Sequence, residues 1–368
     1  MKIRYLLLNL LLFVVVTATA QMNFKTIKAN SDAIASKSNA ALIVLVDHGN
    51  EELVYTSGFS DKEKQIKAKT DDLFEIGSAS KMFTAIAVLQ LIEQGKLSLK
   101  TTMNQLYPSG KVKDLANLKG ENYWDKITVE MLLNHTSGMI DYLNVYENDE
   151  KAMEILAIKG KVYTFEELTN LAIQHGDMNF IPGTTFKYCN TGYTLLGDII
   201  SKKSGMPWRN YIKKNVIDKA DMTDSYFGST IPKNAESRKM KGHFKGAYSF
   251  MPPTLAGAAG EIVSNLKDLK KFLLAWQSGK LFSKQETLKM QQTQGYHAMY
   301  PDKTEKLTYG YGVMKVDGFY GHGGQTFGFQ SYVTYNPEKK RLCVLGTNDA
   351  VNIPVTQVFF MFEGITFE

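Results

Sequence analysis

Ser78 and Lys81 stand three residues apart in the run Phe74-Glu75-Ile76-Gly77-Ser78-Ala79-Ser80-Lys81. In a helical turn that spacing puts both side chains on one face. A serine hydroxyl is a weak nucleophile until a base takes its proton, and a lysine can be that base when its pKa is depressed. Burial and the positive end of a helix dipole both depress it. Backbone N–H groups at the same helix start are placed to hold an oxyanion. The chemistry implied is acyl transfer through a serine ester.

S-x-x-K is a weak signal alone, and the chain carries a second copy, Ser264-Asn265-Leu266-Lys267. That copy opens an amphipathic segment with Lys267, Lys270 and Lys271 on its polar side; Ser264 or Asn265 is placed to cap it, and Ser264 is read as a cap rather than a nucleophile. Two further motifs distinguish the first copy. Tyr188-Cys189-Asn190 lies in a turn just before an apolar helix, where both outer side chains can point into a cleft. Tyr142-Leu143-Asn144 and Tyr146-Glu147-Asn148 share the Y-x-N pattern without that setting. His322-Gly323-Gly324-Gln325 falls on a strand near the C-terminus, where glycines would let a substrate backbone lie against it. Lys203-Ser204-Gly205 is set aside as a helix end closed by Gly205.

These residues need elements to hold them. From Met82 to Ile92 the chain is apolar on nearly every helical side, which predicts a buried central helix ended by Gly95. Helices are also expected at 24–36, Thr128–Leu133, Phe165–Ile173, Tyr193–Ile200, Leu266–Trp276 and in the closing Val355–Phe367 segment. Ala41–Asp47 and Glu52–Ser57 flank Gly49-Asn50 as a hairpin, and Leu307–Val316 and Phe319–Gly321 flank Asp317-Gly318 as another. Gln330–Tyr335 and Arg341–Gly346 supply two more strands. Strands at both ends with helices between them predict an α/β (α+β) fold. Its central antiparallel sheet, of about residues 21–100 and 255–368, would be flanked by helices, with a mainly helical lobe of about 101–254 inserted.

The composition of 44% hydrophobic and 22% charged residues excludes collagen, coiled coil and wholesale disorder. Lys2 and Arg4, the apolar Tyr5–Val16 stretch and Ala18-Thr19-Ala20 have the layout of an export signal over residues 1–20. A single catalytic domain of 21–368 would follow, periplasmic or secreted, with no stable membrane insertion. Removing Lys2 and Arg4 also trims the net charge of +6, so no nucleic-acid partner is expected. Two cysteines, Cys189 and Cys343, leave one bridge possible, with free buried thiols the favoured reading. The six histidines lack metal-binding spacing, and no metal or organic cofactor is expected. His135 reads as a residue that pins a loop, and Tyr309, Tyr311, Phe319 and Tyr320 read as sheet packing.

In this order, Ser78-x-x-Lys81, Tyr188-x-Asn190 and His322-x-Gly324 resemble the serine β-lactamase and penicillin-binding-protein superfamily. The likeness is to the branch of class C β-lactamases, D-alanyl-D-alanine carboxypeptidases, D-aminopeptidases and esterases. Leu132-Leu133-Asn134-His135-Thr136-Ser137-Gly138, Ala258–Ser264 and Tyr309-Gly310-Tyr311-Gly312 resemble further family segments. The resemblance implies the β-lactamase/transpeptidase-like fold, Ser78 as acylated nucleophile, Lys81 as base partner and Tyr188 as proton shuttle. It implies substrate contacts from Asn190, His322, Gly323 and Gly324, and an oxyanion hole from the backbone N–H groups of Ser78 and Gln325. Deacylation would use Tyr188, because no class A-type glutamate is matched and Glu166-Glu167 looks like a helix start. Gly323 replaces the family's threonine or serine hydroxyl, which argues against an efficient β-lactamase. The expected activity is hydrolysis of small amides, peptides or esters, with D-amino-acid-containing cell-wall fragments among the candidates. A true class C-like β-lactamase or carboxypeptidase, and a penicillin-binding sensor with little turnover, are the rivals. A monomer is favoured.

Overall fold

A computed structural model describes residues 23–299 and 307–364. The export signal read over residues 1–20 lies outside the described residues, as does the end of the closing apolar segment.

Eight antiparallel strands make the main sheet: β1 (Leu42–Asp47), β2 (Glu52–Ser57), β3 (His297–Ala298), β4 (Thr308–Tyr309), β5 (Met314–Val316), β6 (Phe319–Gln325), β7 (Gln330–Asn336) and β8 (Arg341–Thr347). Their order across the sheet is β3-β4-β5-β6-β7-β8-β1-β2, so the N-terminal hairpin completes a sheet built mostly by the C-terminal segment. Leu42 opposes Thr347 on one side and Ser57 on the other. Strand β1 is buried on both faces, and its alternation sorts its side chains between two cores. Leu42, Val44 and Val46 join the core of α1 (Phe24–Ser38) and α7 (Val355–Glu363), while Ile43 and Leu45 join the larger core that holds α2 (Ser80–Glu93). Each such aliphatic chain contributes roughly 1.5–3 kcal/mol when fully buried.

The expected strand Leu307–Val316 is a tight hairpin instead. Gly310 donates to the Val313 carbonyl at 2.8 Å, and Gly312 adopts φ +72°, so β4 folds back on β5. The turn at Asp317-Gly318 forms as expected. Helices are the chief regular elements of residues 101–254, including α3 (Val129–Leu133), α4 (Phe165–Gln174) and α5 (Asn190–Ser204). Helix α4 starts with a Thr164–Glu167 capping box, so the Glu166-Glu167 pair is a helix start. Leu132 of α3 and Leu195 of α5 join the same core as Ile43 of the sheet.

Helix α2 runs through that shared core with every residue from Ser80 to Leu91 buried. Its start is fixed by the sheet. Gly77 has φ +51°, and a Cβ there would come within 2.7 Å of Gln325 N. A Cβ on Gly324 would fall 1.8 Å from the Ile76 carbonyl oxygen. Strand β6 therefore lies against the turn that carries Ser78 at a distance only glycines permit.

Candidate active site

Ser78 sits in a single 3₁₀ turn, Gly77–Ala79, that leads directly into α2. It is half-buried, whereas Lys81, one turn later, is fully enclosed. Lys81 Nζ lies 3.0 Å from Ser78 Oγ, 2.8 Å from Asn190 Oδ1 and 2.9 Å from the Ala259 carbonyl. Burial pulls the ammonium down to about 7, against the opposing pull of Asp141 and Cys189. Nothing else in the described chain combines a nucleophile with an amine so depressed.

The Tyr188 turn is held by His135. His135 has φ +61° at the end of α3, and its Nδ1 accepts the Cys189 N–H at 3.1 Å. Its carbonyl accepts the Lys187 N–H at 3.0 Å, so the loop-pinning role expected for it is seen. Burial holds this imidazole well below its ordinary pKa. The ring of Tyr188 lies 4.2 Å from that of His135, and Lys81 Nζ is 4.8 Å from the Tyr188 ring. The Tyr188 hydroxyl oxygen is buried with no hydrogen-bond partner. Burial raises its pKa well above the ordinary phenol, and the neighbouring Ser78 hydroxyl works the other way. Asn190 is the first residue of α5, so its side chain leaves the helix start directly toward Lys81.

Strand β6 forms the opposite wall. Thr326 N donates to Phe329 O at the β6–β7 turn. Antiparallel alternation then aims the N–H groups of Gly323 and Gln325 away from β7, and Gln325 N lies against Gly77 of the Ser78 turn. His322 is fully buried, with Nδ1 2.5 Å from the Gly323 carbonyl and Nε2 2.9 Å from the Tyr309 hydroxyl. A carbonyl can only accept, so Nδ1 carries the proton and Nε2 accepts from Tyr309. Burial, with Lys81 nearby, pulls His322 down to about 3. His322 is a neutral ring with both nitrogens engaged inside the protein. Gly324 is explained by its approach to Ile76 rather than by room for a substrate. A Cβ on Gly323 would lie nearest the Tyr332 ring, at 3.3 Å, and the Ser331 carbonyl, at 3.8 Å.

The structure thus brings Ser78, Lys81, Tyr188, Asn190 and His322 together, sets Gln325 N against Gly77, and leaves Gly323 against the Tyr332 ring and Gly324 against the Ile76 carbonyl. Sequence reasoning missed three participants. Tyr309 was expected to pack the sheet, yet its hydroxyl holds His322. The Ala259 carbonyl binds Lys81 from a turn whose sequence showed only small residues. Asp141 is fully enclosed and accepts from Asn190 Nδ2 at 2.9 Å and from Asn190 N at 3.0 Å. No spacing pattern marks it, because its partner lies 49 positions away.

Other expectations resolve plainly. Ser264 is not a helix cap: it ends the short strand Ile262–Ser264, and Asn265 caps α6 (Leu266–Gln277) through Asp268 N. Arg209, Arg238 and Arg341 pair with Glu261, Asp224 and Glu363, which leaves none of them for a substrate carboxylate. Cys189 and Cys343 are free and buried. Among the described residues, no group of three or more His, Cys, Asp or Glu could hold a metal ion, and no helix is long and apolar enough to cross a membrane.

A family model described as Beta-lactamase matches residues 29–358. Putative penicillin-binding protein PbpX of Bacillus subtilis (strain 168) is 27% identical over 330 residues, covering 87% of this chain and 73% of that protein. Protein flp of Staphylococcus aureus (strain N315) is 30% identical over 194 residues, 53% of this chain. The matched part is 36% of flp, so the chain spans only about a third of that relative's length. Among solved structures, D-amino acid amidase from Ochrobactrum anthropi SV3, complexed with L-phenylalanine amide, aligns with a TM-score of 0.77. It is 24% identical, and the alignment covers 92% of this chain and 98% of that one, a likeness of fold.

Proposed function

The chain belongs to the beta-lactamase family of serine hydrolases, and from that premise we propose that it hydrolyses small amides, peptides or esters through an acyl-enzyme on Ser78. The observation that carries this reading is Lys81, enclosed, depressed to about 7 and 3.0 Å from Ser78 Oγ. Neutral Lys81 takes the Ser78 proton as Oγ bonds to the substrate carbonyl carbon. The resulting oxyanion is received by the Ser78 and Gln325 N–H groups. Tyr188, its hydroxyl unpartnered beside Ser78, passes the proton to the leaving amine or alkoxide as the scissile bond breaks. The same hydroxyl then activates the water that releases the acid and restores Ser78.

Substrates without a carboxylate beside the scissile bond fit the β6 wall best. His322 is neutral, Gly323 offers no hydroxyl, and the three arginines just described are paired elsewhere. This disfavours the β-lactamase and D-Ala-D-Ala carboxypeptidase readings, because a buried carboxylate left short of donors loses about 1–3 kcal/mol or more. The likeness in fold to a D-amino acid amidase suggests D-amino acid amides as first candidates. Residues 21–368 would act as one catalytic unit, a reading supported by the core shared between sheet and lobe. A turnover screen across nitrocefin, p-nitrophenyl esters and D-amino acid p-nitroanilides tests this. The proposal expects the last two to turn over and nitrocefin to be slow. Fast nitrocefin hydrolysis would reverse the ranking, and a lasting penicillin adduct without turnover would favour the sensor reading.

A further inference from the structure

Lys81 has three polar neighbours, Ser78 Oγ, Asn190 Oδ1 and the Ala259 carbonyl. An ammonium has three N–H donors and satisfies all three. A neutral amine has two N–H groups and one lone pair. Asn190 Oδ1 and Ala259 O can only accept, so they take the two N–H groups, and the lone pair is left facing Ser78. The base is aimed because its other two neighbours are pure acceptors.

For Ala259 the acceptor is fixed by the backbone. For Asn190 it depends on which way the amide is turned, since a flipped amide would present Nδ2 to Lys81 and capture its lone pair. Asp141 decides the matter. Its Oδ2 accepts from Asn190 Nδ2 at 2.9 Å and from Asn190 N at 3.0 Å, and Asp141 also receives Leu143 N at 2.9 Å and Asn144 Nδ2 at 2.7 Å. Four donors converge on this carboxyl group, and none of these partners is an acceptor for a proton on it. Burial raises its pKa, while the Asn190 and Leu143 N–H groups, the Lys81 charge and Asn144 oppose that. A carboxylate here requires Asn190 to turn Nδ2 toward it and Oδ1 toward Lys81. We propose that Asp141 is a positioning residue of the hydrolase, acting through the Asn190 amide to aim the Lys81 lone pair at Ser78.

The inference rests on the Ser78–Lys81 reading and separates from it by experiment. The other titratable groups around Lys81 are Cys189, His135, His322, Tyr188 and Tyr193, from the α5 start, the α3 end and β6. They are unchanged in Asp141→Asn. That variant is compared with wild type by the rate at which a fluorophosphonate modifies Ser78, measured across pH by intact mass. Two changes are expected together. The high-pH plateau falls about 10- to 100-fold, the scale of a lost hydrogen bond to a charged group. The acidic limb moves to lower pH, because removing the carboxylate disfavours the ammonium. In an Asn190→Ala background, Asp141→Asn has no further effect on the plateau.

A plateau loss with an unmoved limb, or an unchanged rate, overturns the positioning role. Asp141→Ser, whose hydroxyl still receives loop donors, carries the same expectation if Asp141→Asn does not fold. Failure of both to fold makes Asp141 a structural anchor of α5 and likewise overturns the proposal. Absence of any wild-type adduct on Ser78 would instead sink the function it rests on.

Discussion

Two segments of this chain share the pattern S-x-x-K at a helix approach, and their surroundings differ in every respect that governs chemistry. Lys81 is enclosed among acceptors at the centre of the molecule, whereas Lys267 is exposed on the outer side of α6. Ser78 is half-open in a 3₁₀ turn, and Ser264 is fully buried in a strand, bonded to Ser225 Oγ at 2.8 Å. The difference teaches that spacing places a lysine near a serine, but burial makes it a base. Ser264 buries its hydroxyl against Ser225, and Ser78 keeps its own partly exposed beside Lys81.

The largest expected effect is at the nucleophile. Ser78→Ala should abolish fluorophosphonate labelling, while Ser264→Ala keeps the wild-type rate and loses about 0.5–1.5 kcal/mol in thermal unfolding. Labelling that survives Ser78→Ala would dissolve the distinction. Next, Lys81→Ala should lower p-nitrophenyl ester turnover by about 10²–10⁴, the usual scale of general-base catalysis, with Lys267→Ala near wild type. Tyr188→Phe should cost a similar 10² to 10⁴, roughly, if its hydroxyl carries the proton as proposed. A near-normal rate in Tyr188→Phe would show that Lys81 suffices. The smallest effect is expected at His322, where Gln should change turnover by no more than about fivefold, since a neutral ring already serves there. A far larger loss, with a new titration near the ordinary imidazole value, would mean that His322 works as a cation.

Much of this is legible in the sequence. The apolar run of Met82–Ile92 could only be a buried helix, and the Gly49-Asn50 and Asp317-Gly318 turns fixed two hairpins of the sheet. Ser78, Lys81, Tyr188 and Asn190 announced themselves through local spacing. Asp141 did not, because its role arises where the loop after α3 crosses the start of α5, a contact between distant segments. Tyr309 was misread because an aromatic on a strand is usually packing, and only the register of β4 beside β5 and β6 brings its hydroxyl to His322. Glycine at 324 reads in the sequence as room for a substrate, and the space holds the carbonyl of Ile76. Ser264 was displaced from the cap by its neighbour Asn265, whose amide oxygen reaches Asp268 N from the better position.

The central claim is that Ser78 reacts because an enclosed Lys81 is neutral near physiological pH. The direct test is the rate of fluorophosphonate modification of the wild-type protein as a function of pH, with the adduct mapped by mass. A protonated lysine has no lone pair, so the rate should be flat above the Lys81 pKa of about 7 and fall about tenfold per pH unit below it. The adduct should map to Ser78 alone, and the limb should vanish in Lys81→Ala. An adduct on another residue, or the same limb persisting without Lys81, would contradict the claim.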